Sequence, residues 1–287
     1  MAVNNRGSEG PTSENLMLPA DSRKFVIKNQ RQIDNWALKQ NRLFYKTCNN
    51  SGEKYIPILH YDVNQGGRGQ IECKLDFLND ILKRNNLIAK TLWSKQRGRL
   101  VYKPDKAVIL GTGAESVFSS IPTMTLHPVY GIPYIPSSGL KGVVRNYYIL
   151  KYYQASEKKA LQDPKFQNIF GYSIGEDNAG AGKVVFLDSF PLKAPVLYYE
   201  AFTPHYKKYY EGKQLTKQLT DADSPIPLSF PAIKDTSFEI LFGSAEPDAG
   251  IYIEELMKEI PEALSWIGIG GKTAIGYGLG TTRKLEL

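Results

Sequence analysis

The segment at residues 125–145 carries the residue types best suited to binding an anion. Pro133 and Pro136 hold the backbone extended and exclude a helix before Ser137. Ser137 or Ser138 can therefore cap a helix that begins there. Because the first N–H groups of a helix are unpaired and its dipole is positive at that end, such a start can bind phosphate.

The predicted helix carries two cations one turn apart, Lys141 and Arg145, and Tyr148 and Tyr152 continue the same face. Like charges at this spacing disfavour an isolated helix, and a phosphate chain lying along them would reverse that effect. Gly142 costs about 1 kcal/mol relative to alanine in a helix interior, a cost that close approach by a ligand or another backbone would explain. The alternative is that the two cations form an ordinary solvated face.

A second candidate is the glycine-rich stretch at residues 268–280. Its Gly-Lys-Thr imitates the end of a P-loop, but the earlier glycine of that motif would fall at Trp266 and no helix can follow. A glycine-rich loop can still present successive N–H groups to a phosphate. The alternative is a bulged entry into the last strand. The candidate phosphate contacts in this stretch are Gly270, Gly271, Lys272 and Thr273.

Lysines are interleaved with aromatic residues at positions 204–213, where Lys207 and Lys208 could contact phosphates while tyrosines stack on bases. The tyrosines could equally anchor a long insertion to its own domain. The sequence contains none of the common hydrolase or metalloprotease motifs, and its three histidines are scattered, so we expect no catalytic residue, metal or cofactor. The alternative is a metal-independent ribonuclease that uses His127 or His205 as a base.

The composition suits a globular protein with a polyanionic partner. The 287 residues include 36 Lys+Arg against 29 Asp+Glu, a net charge of +7. No apolar run approaches the roughly 20 residues of a membrane span, and the polar amino terminus does not resemble a secretory signal. Two separated cysteines, Cys48 and Cys73, lead us to expect free thiols in a reducing cytoplasm.

The elements around these segments predict an α+β fold. Apolar spacing predicts helices at residues 30–46, 74–85, 137–153 and 248–264, and strands at residues 99–103, 107–110, 124–126, 183–187, 237–242 and 277–285. With residues 107–110 as the first strand, the order is the βαββαβ of a ferredoxin-like fold. We expect a flexible tail at residues 1–21, an N-terminal extension at 22–104, and a core domain at 105–287 with an insertion at 189–232.

Two segments resemble the RAMP superfamily of CRISPR proteins. Residues 131–145 are similar to its "IPGSSLKG.LR" segment, with Ser137 and Gly139 exchanged relative to the usual Gly and Ser, and residues 268–280 are similar to its terminal glycine-rich loop. "SVFSSIPTMTLHPVYGIPYIP", "KVVFLDSFP" and "TPHYKKYYEG" resemble, within that superfamily, the sixth Cmr subunits of type III-B effector complexes.

This resemblance implies a non-catalytic subunit that grips the 3′ part of a CRISPR RNA through its backbone and supports target RNA recognition. It implies as partners a backbone RAMP subunit, a capping RAMP subunit and a small helical subunit, and a thumb hairpin at the insertion. By motif position, Lys141, Arg145 and Lys272 would contact guide phosphates, with His127 and Tyr134 as further candidates. A structural end subunit that hardly touches RNA is the remaining alternative.

Overall fold

The computed structural model describes residues 10–49, 52–65, 70–72, 77–93, 96–111, 115–116, 119–174, 178–202 and 228–285. The chain divides into two compact units, each assembled from separate segments. The first is formed by Met1–Ile71, Thr112–Met124 and Leu197–Ala232, and the second by Glu72–Gly111, Thr125–Val196 and Ile233–Leu287. No helix of the described residues is long and apolar enough to cross a membrane.

The helices of the described residues are α1 Ala20–Asn29, α2 Trp36–Asn41, α3 Ile58–Gln65, α4 Leu78–Leu92, α5 Ser137–Tyr152, α6 Glu157–Ala160, α7 Pro164–Phe170 and α8 Gly250–Trp266, with 3-10 turns at Gln30–Gln32 and Thr273–Ile275. The strands are β1 Phe44–Asn49, β2 Gly52–Pro57, β3 Gln70–Glu72, β4 Arg97–Pro104, β5 Glu115–Ser116, β6 Ser119–Pro122, β7 Gly171–Ile174, β8 Asn178–Ala181, β9 Val185–Phe186, β10 Val196–Phe202, β11 Leu228–Lys234, β12 Phe238–Gly243 and β13 Gly280–Lys284.

The first unit is built around the antiparallel β1–β2 hairpin and a sheet in the order β11-β10-β3. Its core packs Val26 of α1 against Leu43, Tyr45 and Ile58. Leu16, within the predicted tail, is buried in the same core and bridges Tyr45. The single helix predicted at residues 30–46 is wrong. Asn35 accepts a 2.8 Å hydrogen bond from the Leu38 amide and restarts the helix as α2, and the aromatic β-forming residues after it form β1.

The second unit contains a four-stranded sheet in the order β13-β4-β12-β9, antiparallel throughout. The chain passes through α5 between β4 and β9, and through α8 between β12 and β13. One face of the sheet carries Leu100, Tyr102, Ile240 and Phe242, all buried, and α8 packs on β4 and β13. On the opposite face, α4 packs Ala89 and Trp93 against Leu241 of β12. The predicted α+β class is confirmed.

The first strand of this sheet is not the predicted one. Residues 107–110 form no strand, and only Val108 makes an isolated bridge, to Ile233. The predicted run at 99–103 lies within β4 and takes the central position instead. Residues 107–110 are apolar because they are buried against the glycine-rich loop rather than in the sheet. The predicted domain bounds stay a prediction and do not coincide with the two compact units.

The two long helices agree better with expectation. The helix predicted at 137–153 is confirmed as α5, and that at 248–264 as α8. Ala249 holds the cap position of α8, and the neighbouring Asp248 carboxylate accepts a 2.5 Å hydrogen bond from Lys183. The last strand is shorter than predicted because residues 276–278 are a turn.

Candidate nucleic-acid interface

The amino end of α5 is capped by a residue distant in sequence. Pro136 holds the cap position in extended conformation, and neither Ser137 nor Ser138 supplies a side-chain cap. The Ser137 amide instead donates a 2.7 Å hydrogen bond to the Asp188 carboxylate. The bridge between Ile135 and Ser189 holds Asp188 at this point. A carboxylate therefore already complements the positive end of the helix dipole where the sequence predicts a phosphate.

An aromatic cluster lies near Asp188. His127 stacks on Tyr130 with ring centroids 4.4 Å apart, and Tyr134 stacks on Phe190 at 5.9 Å. Burial lowers the pKa of His127, while the Asp188 carboxylate opposes that shift. Burial and Asp188 both raise the pKa of Tyr134. The imidazole is thus held neutral near pH 7, and its Nδ1 accepts the Tyr130 amide at 3.2 Å. His127 and Tyr134 are both placed by this cluster, which the sequence did not predict as a unit.

The residues of the predicted basic face of α5 do not share one environment. The Arg145 guanidinium pairs with Glu157 at 2.6 Å and lies over the ring of Phe166. Burial and the neighbouring Arg145 lower the pKa of Lys141. Tyr148 is buried and donates a 3.0 Å hydrogen bond to Glu255 of α8. The tyrosines therefore join α5 to α8 and do not continue a phosphate track, whereas Lys141 lies outside that contact.

Gly139 and Gly142 lie on the exposed face of α5. Among the described residues, no atom beyond the helix's own backbone comes within 4 Å of the position that a Cβ would occupy at either glycine. Packing against the described residues therefore does not explain Gly142. The remaining explanation from the sequence, close approach by a ligand or another chain, fits an open surface of this kind.

The glycine-rich loop is fixed against residues 107–109. The Gly271 amide donates to the Ile109 carbonyl and the Gly278 amide to the Ala107 carbonyl, both at 2.8 Å. Gly278 has φ +64°, and a Cβ there would lie 1.9 Å from the Ile269 carbonyl oxygen, so a side chain is excluded. Lys272 also adopts a left-handed conformation, with φ +57°, and precedes the 3-10 turn that begins at Thr273.

The loop and the start of α5 lie towards the same end of the helix pair. Tyr147 of α5 contacts Glu262 and Trp266 in the last turns of α8. Four residues later, Lys151 pairs with Glu262 and also with the earlier Glu259. The two helices therefore run antiparallel here, and α5 begins towards the end at which α8 enters the glycine loop. The hypothesis that both segments form one groove requires this arrangement.

Two predicted site residues lie outside the described part of the chain, and one residue of the site was not predicted. Lys207 and Lys208, and with them most of the predicted thumb, lie outside the described residues. Asp188 was missed, because its partner Ser137 is 51 positions away in sequence. Within the described ranges, no group of three or more His, Cys, Asp or Glu side chains could hold a metal ion.

Comparison with known proteins identifies a family. The model of the RAMP superfamily matches residues 119–280. The Cmr6 subunit of the CRISPR system of Pyrococcus furiosus is 27% identical over 301 residues, covering 87% of this chain and 84% of that protein. The Cmr6 subunit of Saccharolobus solfataricus is 27% identical over 169 residues, covering 57% and 50%.

A solved structure shows a similar fold. It is a chain of the type III-B Cmr-beta complex bound to cognate target RNA, with a TM-score of 0.57, 20% identity, and coverage of 93% of this chain and 90% of that one. The superfamily match spans more than half of the sequence and includes α5, α8 and the glycine-rich loop. The protein described here belongs to the RAMP superfamily.

Proposed function

We propose that this chain is a Cmr6-like subunit of a type III-B CRISPR effector complex, and that it binds the 3′ part of a guide RNA through its sugar–phosphate backbone. The similarity to two Cmr6 subunits supports the assignment to such a complex. The main structural support for RNA binding is that the glycine-rich loop and the open amino-terminal half of α5 lie towards the same end of the α5–α8 pair.

The proposed core is ferredoxin-like. The sheet order β13-β4-β12-β9, with α5 after the first of these strands in the chain and α8 after the third, supports this interpretation. In that topology both helices lie on one face of the sheet. The loop before the last strand and the start of the first helix then share an edge.

The proposed contacts are to the sugar–phosphate backbone of the RNA, so binding does not require recognition of the bases. Lys141, Lys272 and exposed backbone at Gly139 and Gly142 can approach phosphates and riboses, which carry no sequence information. Asp188 prevents a phosphate from binding the first amide of α5, because its carboxylate already accepts the hydrogen bond of that amide. The strand is therefore expected to contact the exposed face of the helix rather than its capped end.

We propose a binding role without catalysis, in a cytoplasmic complex with the backbone, capping and small helical subunits and with target RNA. The engaged Nδ1 of His127 supports this, because a general base needs an accessible lone pair. The neighbours of His127 are the rings of Tyr130, Tyr134 and Phe190 and the carboxylate of Asp188.

The proposal is tested by a double substitution, Lys141→Gln with Lys272→Gln, in a reconstituted complex. The amount of guide RNA retained is measured over a series of salt concentrations. Each phosphate contact on a single strand contributes about −0.7 to the salt slope. Losing two contacts should therefore make the slope less negative by about 1.4.

Lys158→Gln with Lys258→Gln is the matched control, since it removes the same charge from exposed helical positions. Guide retention and a salt slope equal to those of this control would contradict the proposed function.

A further inference from the structure

The sheet of the second unit has a groove on the face that carries Leu241, against which α4 packs. It has a volume of about 640 Å³. Val101 and Lys103 of β4 and Thr281 and Arg283 of β13 form part of its lining. These positions alternate along their strands and pair directly, Lys103 with Thr281 and Val101 with Arg283. The side chains therefore project from one face of the sheet.

Cations dominate this groove. Its lining includes Lys103, Lys106, Lys193 and Arg283, against the carboxylates of Asp105 and Asp235. None of the four cations forms an ion pair within 4.0 Å anywhere in the part of the chain that the structure describes.

Some cations elsewhere in the second unit do have a carboxylate partner. Arg145, Lys165 and Lys183 each have a carboxylate partner at 2.7 Å or less. Lys103 and Arg283 instead lie diagonally across two neighbouring strands, where long side chains are within reach of each other and like charges repel. An anionic ligand in the groove would remove that repulsion.

The groove adjoins the glycine-rich loop. β13 begins with Gly280 opposite Pro104, and the Asp105 amide donates a 2.9 Å hydrogen bond to the Leu279 carbonyl. The Lys106 amino group lies 4.0 Å from the position of a Cβ on Gly276. Lys106 therefore belongs both to the groove and to the edge of the loop.

We infer that this groove is a second phosphate-binding segment, which carries a single RNA strand onward from the glycine-rich loop across the sheet. The inference rests on the proposed function. RNA fits better than an acidic peptide, because the groove combines cations with the hydroxyls of Thr236, Ser237 and Thr281 and is continuous with the loop. Its lining contains no aromatic side chain, so contacts to the backbone rather than stacking on bases are expected.

The test compares three double variants of the full chain with the unaltered protein. The groove variant is Lys103→Gln with Arg283→Gln, the loop variant is Lys141→Gln with Lys272→Gln, and the control is Lys158→Gln with Lys258→Gln. Binding of a fluorescein-labelled single-stranded RNA of mixed sequence is followed by anisotropy from 0.05 to 0.5 M salt. Circular dichroism and thermal unfolding establish that each variant is folded.

The groove variant should make the salt slope less negative by about 1.4, at about 0.7 for each lost contact. This corresponds to roughly 25-fold weaker binding at 0.1 M salt, obtained by applying that slope between 1 M and 0.1 M. The control should stay within about twofold of the unaltered chain, because neither of its cations belongs to the groove lining.

The possible failures are distinguishable. A groove variant equal to the control, while the loop variant loses binding, overturns this inference and leaves the proposed function intact. A loop variant equal to the control, or no RNA binding by the unaltered chain, overturns the proposed function and this inference with it. Polyglutamate binding that depends on Lys103 and Arg283, with RNA binding unaffected, assigns the groove to an acidic peptide instead.

Discussion

Replacing Asp188 tests how α5 is held in place. Its carboxylate accepts the Ser137 amide at 2.7 Å and faces the positive end of the helix dipole. Losing a side-chain cap costs about 1 kcal/mol, and losing the favourable charge at a helix start costs a further 0.3 to about 1 kcal/mol. Asp188→Ala should therefore destabilise the first turn of α5 by about 1–2 kcal/mol. Asp188→Asn, which keeps an acceptor oxygen, should lose about half as much or less.

Hydrogen–deuterium exchange of the peptide covering residues 137–146 is the suitable assay, because the chain has two compact units and a global transition would mix them. The Ala variant should exchange about 5- to 30-fold faster there, the factor that corresponds to 1–2 kcal/mol. A peptide from α8, such as residues 254–262, serves as the internal control. Equal exchange in the unaltered, Ala and Asn proteins would refute the assignment of Asp188 as the cap.

Three further predictions follow from single positions. Gly142→Ala should stabilise the isolated chain by up to about 1 kcal/mol in urea unfolding, because no described atom is close to the added methyl group. The same substitution should lower guide RNA retention in the complex. Unchanged retention would exclude close approach of RNA at Gly142. Burial lowers the pKa of His60 to about 4, below its unfolded value, so protonation favours the unfolded state. Stability should therefore fall as the pH drops from about 6.5 towards 4, and His60→Leu should reduce that loss of melting temperature; an unchanged loss would show that another group titrates. Incubation of the chain with labelled CRISPR repeat RNA in EDTA should give no cleavage products, whereas products that vanish in His127→Gln would establish the ribonuclease alternative.

The helix at residues 137–152 could be predicted because its signals are local. Pro136 fixes its start, and Leu140, Val144 and Tyr147 recur at the spacing of a buried face. The same locality explains the success at α8, where Ile253, Leu256 and Ile260 form the buried side. Both helices bury one continuous apolar face, so periodicity alone is sufficient.

The first core strand was misassigned because its sequence contains several charged residues. β4 reads Arg-Gly-Arg-Leu-Val-Tyr-Lys-Pro, and cations at alternate positions suggest a surface strand although it is central. Residues 107–110 have the apolar composition of a central strand, but the glycine-rich loop takes up the carbonyls of Ala107 and Ile109. Composition therefore identified a buried segment correctly and its type of structure incorrectly.

The candidate site was predictable in its parts but not in its connections. Lys141 and Lys272 could be proposed from motifs, and Gly142 from its cost in a helix. The cap from Asp188, the pairing of Arg145 with Glu157, and the bond from Tyr148 to Glu255 join residues 12 to 107 positions apart. Such long-range pairs depend on the folded chain, and no local pattern in one sequence specifies them.

Photo-crosslinking of guide RNA in the assembled complex, with the crosslinked peptides and nucleotides identified by mass spectrometry, tests the central claim most directly. We expect one short run of nucleotides to crosslink both to residues 139–142 of α5 and to residues 271–276 of the loop. Crosslinks from these two segments to distant parts of the guide, or none to either segment, would contradict it.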